Sequence, residues 1–236
     1  MNPAQLLRRR VVRSLLGLGG GRARVLDIGC GQGDLLEELC LRHPEAELCG
    51  MDHSGSGVGI ARSKVPTASF LQWDLPQEAP PPARLRSWAT HAVCSEVLEH
   101  IDDPEVLLQN ARAFLAPGCR LAVTVPGGPM SAFDRHIGHR RHFSPGHLRG
   151  LLQSAGFEVE MTRSIGFPFF NLYRLVVILR GEQLVRDLTG GEEGRPSRTS
   201  RLVMHAFRVL FALNPPRSPW GWQVVGVARV PQQAVR

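Results

Sequence analysis

The sequence predicts an α/β protein with a mostly parallel sheet covered by helices on both faces. Two observations carry that expectation. Strand-length apolar runs alternate with helix-length amphipathic segments from about residue 24 onward, the pattern of crossover-connected strands. The 236-residue chain is also 43% hydrophobic and 21% charged, ordinary globular values with enough length for a full core. A disordered or fibrous chain is excluded. No apolar run reaches the ~20 residues of a membrane-spanning helix.

The elements follow in order. A first amphipathic helix is expected over residues 1–20. Arg24 to Ile28 is an apolar run stopped by glycine, a first strand. Asp34 to Leu41 reads as a helix with Leu35, Leu36, Leu39 and Cys40 on one face. Ala46 to Met51 is a strand, Gly57 to Ser63 a short helix, and Ser69 to Trp73 a third strand. Residues 76–84 are dominated by proline and are expected to be irregular. Thr90 to Cys94 is a strand. Asp103 to Leu115 is a helix opened by Asp-Pro and closed by Pro117-Gly118. Arg120 to Val125 is a fifth strand. Ser144 to Ala155 is a helix with Ser144 as N-cap and Pro145 at its first position. Phe157 to Met161 begins a sixth strand and Trp222 to Val230 is a seventh.

One stretch breaks the rhythm. Residues 165–220 place two hydrophobic helices, Phe167 to Leu179 and Arg201 to Leu213, around a Gly190-to-Ser200 linker. The expected organisation is one domain. It has an N-terminal helix (1–20), a core (21–164), a helical insertion (165–220) and a last strand (221–230).

The formal charge of +7 favours acidic partners without identifying one. All but one of the 28 cationic residues are Arg, the exception being Lys64. With 25 Gly and 18 Pro, this reads as coding bias of a GC-rich genome. Arg is spread along the chain and aromatics are only 6%, so a DNA-binding surface is not expected. Cys30, Cys40, Cys49, Cys94 and Cys119 are odd in number and lack C-x-x-C spacing. They read as buried thiols in a reducing, cytoplasmic compartment, with neither disulfides nor zinc. No acid precedes Asp27, which leaves a mitochondrial transit peptide as the alternative reading of the first segment.

The most informative motif is Val25-Leu-Asp-Ile-Gly-Cys-Gly-Gln-Gly-Asp34. A strand ends, glycines fall at 29, 31 and 33, and a helix begins. Such a loop lets a ligand approach backbone amides directly. A dinucleotide fingerprint is G-x-G-x-x-G. Here the spacing is G-x-G-x-G behind Asp27, and an acid at that strand end suits a ligand carrying a positive amino group. Asp52 closes the second strand, where a carboxylate can accept the hydroxyls of a ribose. Asp74 follows the third strand, where it can accept from an adenine amino group. Each acid alone reads as a cap or turn former. Together, at the carboxyl ends of consecutive strands, they mark a ligand edge.

These residues resemble the class I S-adenosylmethionine-dependent methyltransferases, over residues 24–164 and the final strand. The resemblance also rests on Cys94-Ser-Glu-Val-Leu-Glu-His-Ile101 and Leu115-Ala-Pro-Gly-Cys-Arg-Leu-Ala-Val-Thr-Val125. It implies a Rossmann-like fold with a seven-stranded sheet and S-adenosyl-L-methionine as cofactor. It implies a cofactor site of Asp27, Gly29, Cys30, Gly31, Gly33, Asp52, His53, Asp74, Leu75, Ser95 and Glu96.

Methyl transfer from a sulfonium needs an acceptor held in line and, for a hydroxyl or amine, a nearby base. His100 and His139, with Glu99, are the expected catalytic groups. His136, Arg140, Arg141 and His142 are the expected substrate contacts. Glu96-x-x-Glu99-His100 and Gly138-His139-Arg-Arg-His-Phe143 are similar to two motifs of ubiquinone-biosynthesis O-methyltransferases. In that family the first motif can hold a divalent cation near a catechol, so a metal is kept as a secondary expectation. Two carboxylates and an imidazole suit Mg²⁺ only moderately.

The leading expectation is therefore methylation of a small, lipophilic molecule, O-methylation preferred over N or C. RNA or protein methylation is the second reading, although no Asn-Pro-Pro-Tyr-like motif follows strand four. A non-catalytic cofactor-binding or interaction protein is the third. The insertion has two expectations. Arg201, His205 and Arg208 fall on one helix face and suit peripheral contact of residues 165–213 with an anionic membrane. Alternatively both helices pack on the sheet or form a homodimer.

Overall fold

The structure, a computed structural model, describes residues 3–19, 22–77, 80–179, 198–215 and 218–232, with 198–203 described in backbone only. Seven strands form one sheet: β1 (Arg24–Ile28), β2 (Glu47–Asp52), β3 (Ser69–Gln72), β4 (Ala89–Ser95), β5 (Leu115–Pro126), β6 (Glu158–Ile165) and β7 (Gln223–Arg229). Their order is β3-β2-β1-β4-β5-β7-β6. β7 lies antiparallel between β5 and β6, and the pairings among β1 to β5 are parallel. The helices are α1 (Pro3–Leu16), α2 (Asp34–Arg42), α3 (Gly55–Lys64), α4 (Pro104–Arg112), α5 (Ala132–His136), α6 (Pro145–Ser154), α7 (Phe169–Leu179) and α8 (Arg198–Leu210).

Alternating strand residues feed two cores, as the period-two geometry of a strand requires. Val25, Val93, Ala122 and Val225 meet Val12 and Leu16 of α1, Leu36 and Leu39 of α2 and Val58 of α3. Leu26, Cys94, Leu121 and Val123 meet Leu107 and Leu108 of α4 and Leu148 and Leu152 of α6. Each buried aliphatic side chain stabilises the fold by about 1.5–3 kcal/mol. A third cluster of Ala4, Phe170, Phe207 and Phe211, with Tyr173 and Trp222 beside it, joins α1, α7 and α8.

The cysteines are free, and all but Cys40 are buried. Burial pushes the Cys49 thiol up to about 11 and Cys119 to about 12, so both are inert near neutrality.

Several expected boundaries move. The helix expected to run to Leu115 stops at Arg112, and Leu115 already pairs with Ala89 as the start of β5. The carbonyl of Phe114 accepts from Trp88 and Ala89, so β4 captures the chain before Pro117 is reached. Ala83–Leu85 forms one 3-10 turn within the proline-rich stretch. The short α5 was not anticipated. Residues 190–197 of the expected linker lie outside the described residues, and 198–200 belong to α8 instead.

Candidate active site

β1 is flanked by β2 on one side and β4 on the other, so the order in which successive strands are added reverses between β1 and β4. Ligands of open α/β sheets bind at that switch point. A cleft of about 370 Å³ opens there. Asp27, Gly29, Cys30 and Gly31 form its floor, Ser95 and Glu96 one wall, and Gln5, Arg8, Arg9 and Val12 of α1 its roof.

The glycine loop is shaped by three left-handed residues, Gly29, Gly31 and Gly33, at φ of 73°, 52° and 77°. They do different work. A Cβ on Gly31 would meet nothing within 4 Å and would project into open space. A Cβ on Gly33 would strike Ala61 at 2.9 Å. Gly33 therefore permits α2 to pack closely on α3. Asp52 locks the loop in place. Its carboxylate accepts from the Gly31 amide at 2.8 Å and the Ser54 amide at 2.9 Å. Asp27 is 4% exposed. Burial, followed by the nearby Asp52 charge, pushes its carboxyl up to about 7.

Asp52, His53, Asp74 and Leu75 lie outside the cleft lining. Asp52 remains attached to it through Gly31. The His53 side chain is 80% exposed. Leu75 belongs to the core, and its carbonyl accepts from Asn110 at 2.6 Å.

Glu96 occupies a left-handed backbone conformation, φ 58°, unusual outside glycine. Its surroundings over-determine it. Its amide donates to the Thr124 carbonyl at 2.9 Å. One carboxylate oxygen accepts from Thr124 Oγ1 at 3.1 Å and Gln223 Nε2 at 2.9 Å, and the other meets Arg8 at 3.3 Å.

Beyond it lies a histidine chamber. Glu99 is fully buried, and neither of its oxygens accepts a hydrogen bond among the described residues. Burial, and then the charge of Glu96, hold its carboxyl well above the usual range. His100 Nε2 stands 4.0 Å from Glu99 Oε1. His100 and His139 meet edge to face at 4.8 Å, and His139 Nδ1 lies 3.3 Å from His142 Nε2. Burial first, then His100, lowers the His139 imidazole to about 4; burial also lowers His142. Both are therefore neutral near pH 7.

Ligand atoms of Glu99, His100 and His139 lie within 4.8 Å of one another. One carboxylate with two imidazoles, both carboxylate oxygens being without hydrogen bonds, fits a divalent transition ion better than Mg²⁺. Glu96 is not part of this set, because Arg8, Thr124 and Gln223 already engage it. The Glu-x-x-Glu-His arrangement expected from resemblance is thereby reduced to its second half.

The chamber is anchored by Asp134, which the sequence reading did not single out. Asp134 is fully buried and accepts from Ser131 N and Oγ at 2.8 and 2.7 Å and from Arg174 Nη2 at 3.0 and 2.9 Å. His139 and His142 each approach it at 3.9 Å. Burial alone would raise this carboxyl, but the Ser131 bonds and the Arg174 charge outweigh burial and hold it below its ordinary value. Arg174 belongs to α7, so the insertion itself braces the histidine loop. His136 is exposed and outside the cluster. Arg140 donates to the His100 carbonyl at 2.8 Å and pairs with Asp102, and Arg141 donates to the Asp102 carbonyl at 2.7 Å. These two arginines fasten the 98–102 turn.

Arg174→Ala leaves Asp134 buried with Ser131 as its remaining side-chain hydrogen-bond partner and no charged partner in hydrogen-bond contact. Urea unfolding at pH 7 is expected to show a loss of about 3 kcal/mol. Because the folded Asp134 is held below its ordinary value, its contribution stands above that range and is lost as pH falls through the lowered value. The gap between wild type and variant should therefore narrow below about pH 4.

A sequence-family profile described as a methyltransferase domain matches residues 4–162. The chain belongs to that methyltransferase family. Its seven-stranded sheet is the Rossmann-like fold of such domains. It is 36% identical over 104 residues to the trans-aconitate 2-methyltransferase of Paracidovorax citrulli strain AAC00-1, covering 44% of this chain and 39% of the relative. The chain thus spans less than half the length of these curated relatives. Among solved structures, the [4+2]-cyclase SpnF superposes with a TM-score of 0.66 at 19% identity, covering 95% of this chain and 80% of that one. Phosphoethanolamine N-methyltransferase 2 of Haemonchus contortus, solved with S-adenosyl-L-methionine, gives 0.62 at 17% identity, covering 95% of this chain and 52% of that one. At such identities these likenesses show the fold alone. The family match begins at residue 4, within α1, consistent with that helix roofing the cleft. Arg8 and Arg9 carried a sequence signal, since an acid-free basic helix precedes the glycine loop, but their place over the cleft is a tertiary fact.

Proposed function

We propose that this methyltransferase methylates an oxygen atom of a small acceptor seated beside His100, His139 and His142. The cofactor's amino group pairs with Asp27, its methionine part lies along Gly29, Cys30 and Gly31, and its ribose and adenine extend toward Asp52 and Asp74. One observation carries the reading. Imidazoles held neutral by burial stand beside an unbonded buried carboxyl, one turn past the strand that walls the cleft. A neutral imidazole can take the proton that a hydroxyl must lose as its oxygen attacks the methyl group.

A carboxylic acid acceptor is the second reading. It is favoured by relatives named for trans-aconitate, itself an acid, and by Arg8 and Arg9 on the cleft roof. A carboxylate is already ionised at neutral pH and needs no base.

The two readings part on product chemistry. With methyl-labelled cofactor and panels of phenols, alcohols and carboxylic acids, an ether product keeps its label through mild alkali. A methyl ester releases it as methanol. Alkali-stable label from a hydroxyl acceptor is the expected result. Wholly alkali-labile label selects the acid reading, and turnover of amines alone overturns both. Turnover that survives exhaustive chelation assigns the proton to the imidazoles and removes a role for a bound ion.

A further inference from the structure

Helix α7 has two unlike faces. Phe170 and Tyr173 pack against Phe207 and Phe211, and Arg174 reaches Asp134. On the outward face, Leu172, Leu175, Val176 and Leu179 are 47%, 42%, 36% and 77% exposed. Their spacing of three, one and three residues is a single helical stripe. Nearby apolar side chains extend it. Phe167, just before α7, meets Trp220 edge to face at 5.5 Å, and Trp220 is 68% exposed. Asn171 ties the Trp220 turn to α7, donating to the Trp220 carbonyl at 2.7 Å and accepting from the Trp222 amide at 2.9 Å. Val209 and Leu213, on and just after α8, are also exposed.

The sequence flanking this surface is poor in acids on either side of the 182–193 segment, whose four acids lie outside the described residues. The sequence contains no Asp or Glu from Met161 to Gly181, nor from Gly194 to Arg236. Arg208 and His205 are exposed on α8. We infer that the α7 stripe, with Trp220 and Arg208 of α8, docks on the surface of an anionic lipid bilayer. An exposed apolar stripe with an interfacial Trp, acid-free helices and an exposed Arg is what such a surface selects. A second copy fits less well. A two-fold contact would set like-charged rims against one another. No helix among the described residues is long and apolar enough to cross a membrane, so the contact is one of lying on the surface.

This inference deepens the proposed function by placing a lipid-soluble acceptor class at the same site. The opposite face of the docking helix holds the histidine loop through Arg174, so an acceptor leaving the bilayer beside α7 arrives next to His139 and His142. The docking is tested without any acceptor, so its failure and the failure of the proposed chemistry are separate results.

The experiment is sedimentation of the full chain with vesicles of phosphatidylcholine containing about one third phosphatidylglycerol, and with phosphatidylcholine alone. Binding is expected to the anionic vesicles at low salt, weakening as salt screens the attraction. Leu175→Glu with Val176→Glu should reduce partitioning at least ~10-fold, since each charge must enter the interface. Arg208→Glu should reduce it by roughly 10-fold on anionic vesicles only. Unchanged S-adenosylmethionine affinity in each variant shows that the fold is intact. Absence of binding to anionic vesicles at low salt overturns the inference, as does wild-type binding by the double Glu variant. A stable dimer by light scattering that the double variant dissolves would assign the stripe to a second copy and likewise overturn it.

Discussion

Replacing Gly31 by valine is expected to weaken S-adenosylmethionine by more than about 100-fold in calorimetry, which is roughly 2.7 kcal/mol. The position faces the open cleft, where an added Cβ meets no protein atom within 4 Å, so the branched side chain takes the volume meant for ligand. The residue also sits at φ 52°, a conformation that β-branched residues strongly disfavour. Gly33→Ala supplies the contrast. Its methyl group collides with Ala61, so the cost falls mainly on stability, read as a lower melting temperature. Asp52→Ala belongs between them. It removes the acceptor of the Gly31 and Ser54 amides and is expected to cost about 1.5–3 kcal/mol in cofactor affinity. Wild-type affinity in Gly31→Val and Asp52→Ala together would remove the cofactor from this cleft.

His139→Ala is expected to lower turnover by ~10²–10⁴-fold with cofactor affinity unchanged. The pH dependence gives the sharper test. An exposed histidine protonates near its ordinary value of about 6.5. Burial and His100 lower His139 to about 4, so it keeps its proton-accepting form through pH 5. The acid limb that belongs to His139 should therefore lie near pH 4 and be absent from the variant. If wild type and His139→Ala turn over equally at every pH, His139 is not the base.

The sheet was legible because its information is local. Val25-Leu26 and Val93-Cys94 are apolar on both sides, and Gly29 or Glu96 then stops each strand. The glycine loop with Asp27 was legible for the same reason. Backbone turns and strand ends are written in neighbouring residues. What could not be read was which side chains long separations bring together. Arg8 meets Glu96, and Arg174 meets Asp134, across 40 residues in the second case. Nothing in the local pattern of α7 distinguishes Arg174 from a solvated charge. From the sequence alone, His136 is grouped with His142 as a substrate contact and His139 is set apart as a catalytic group. Packing separates them differently, burying His139 and His142 around Asp134 and leaving His136 in solvent. Gly31 and Gly33 were indistinguishable until Ala61 was seen beside one of them.

The placement of β7 has a consequence for chain synthesis. β5 ends at Pro126 and β6 at Ile165, yet both bond to a strand that starts at Gln223. While the chain grows, β5 has an unpaired edge and β6 has no partner in the sheet. At about 5–20 residues per second that interval lasts roughly 5–20 s. Gln223 is also the residue whose amide fixes Glu96 at the cofactor cleft. Cofactor therefore cannot stabilise the nascent chain through a finished site, and the β5 edge stays unpaired until the last strand emerges.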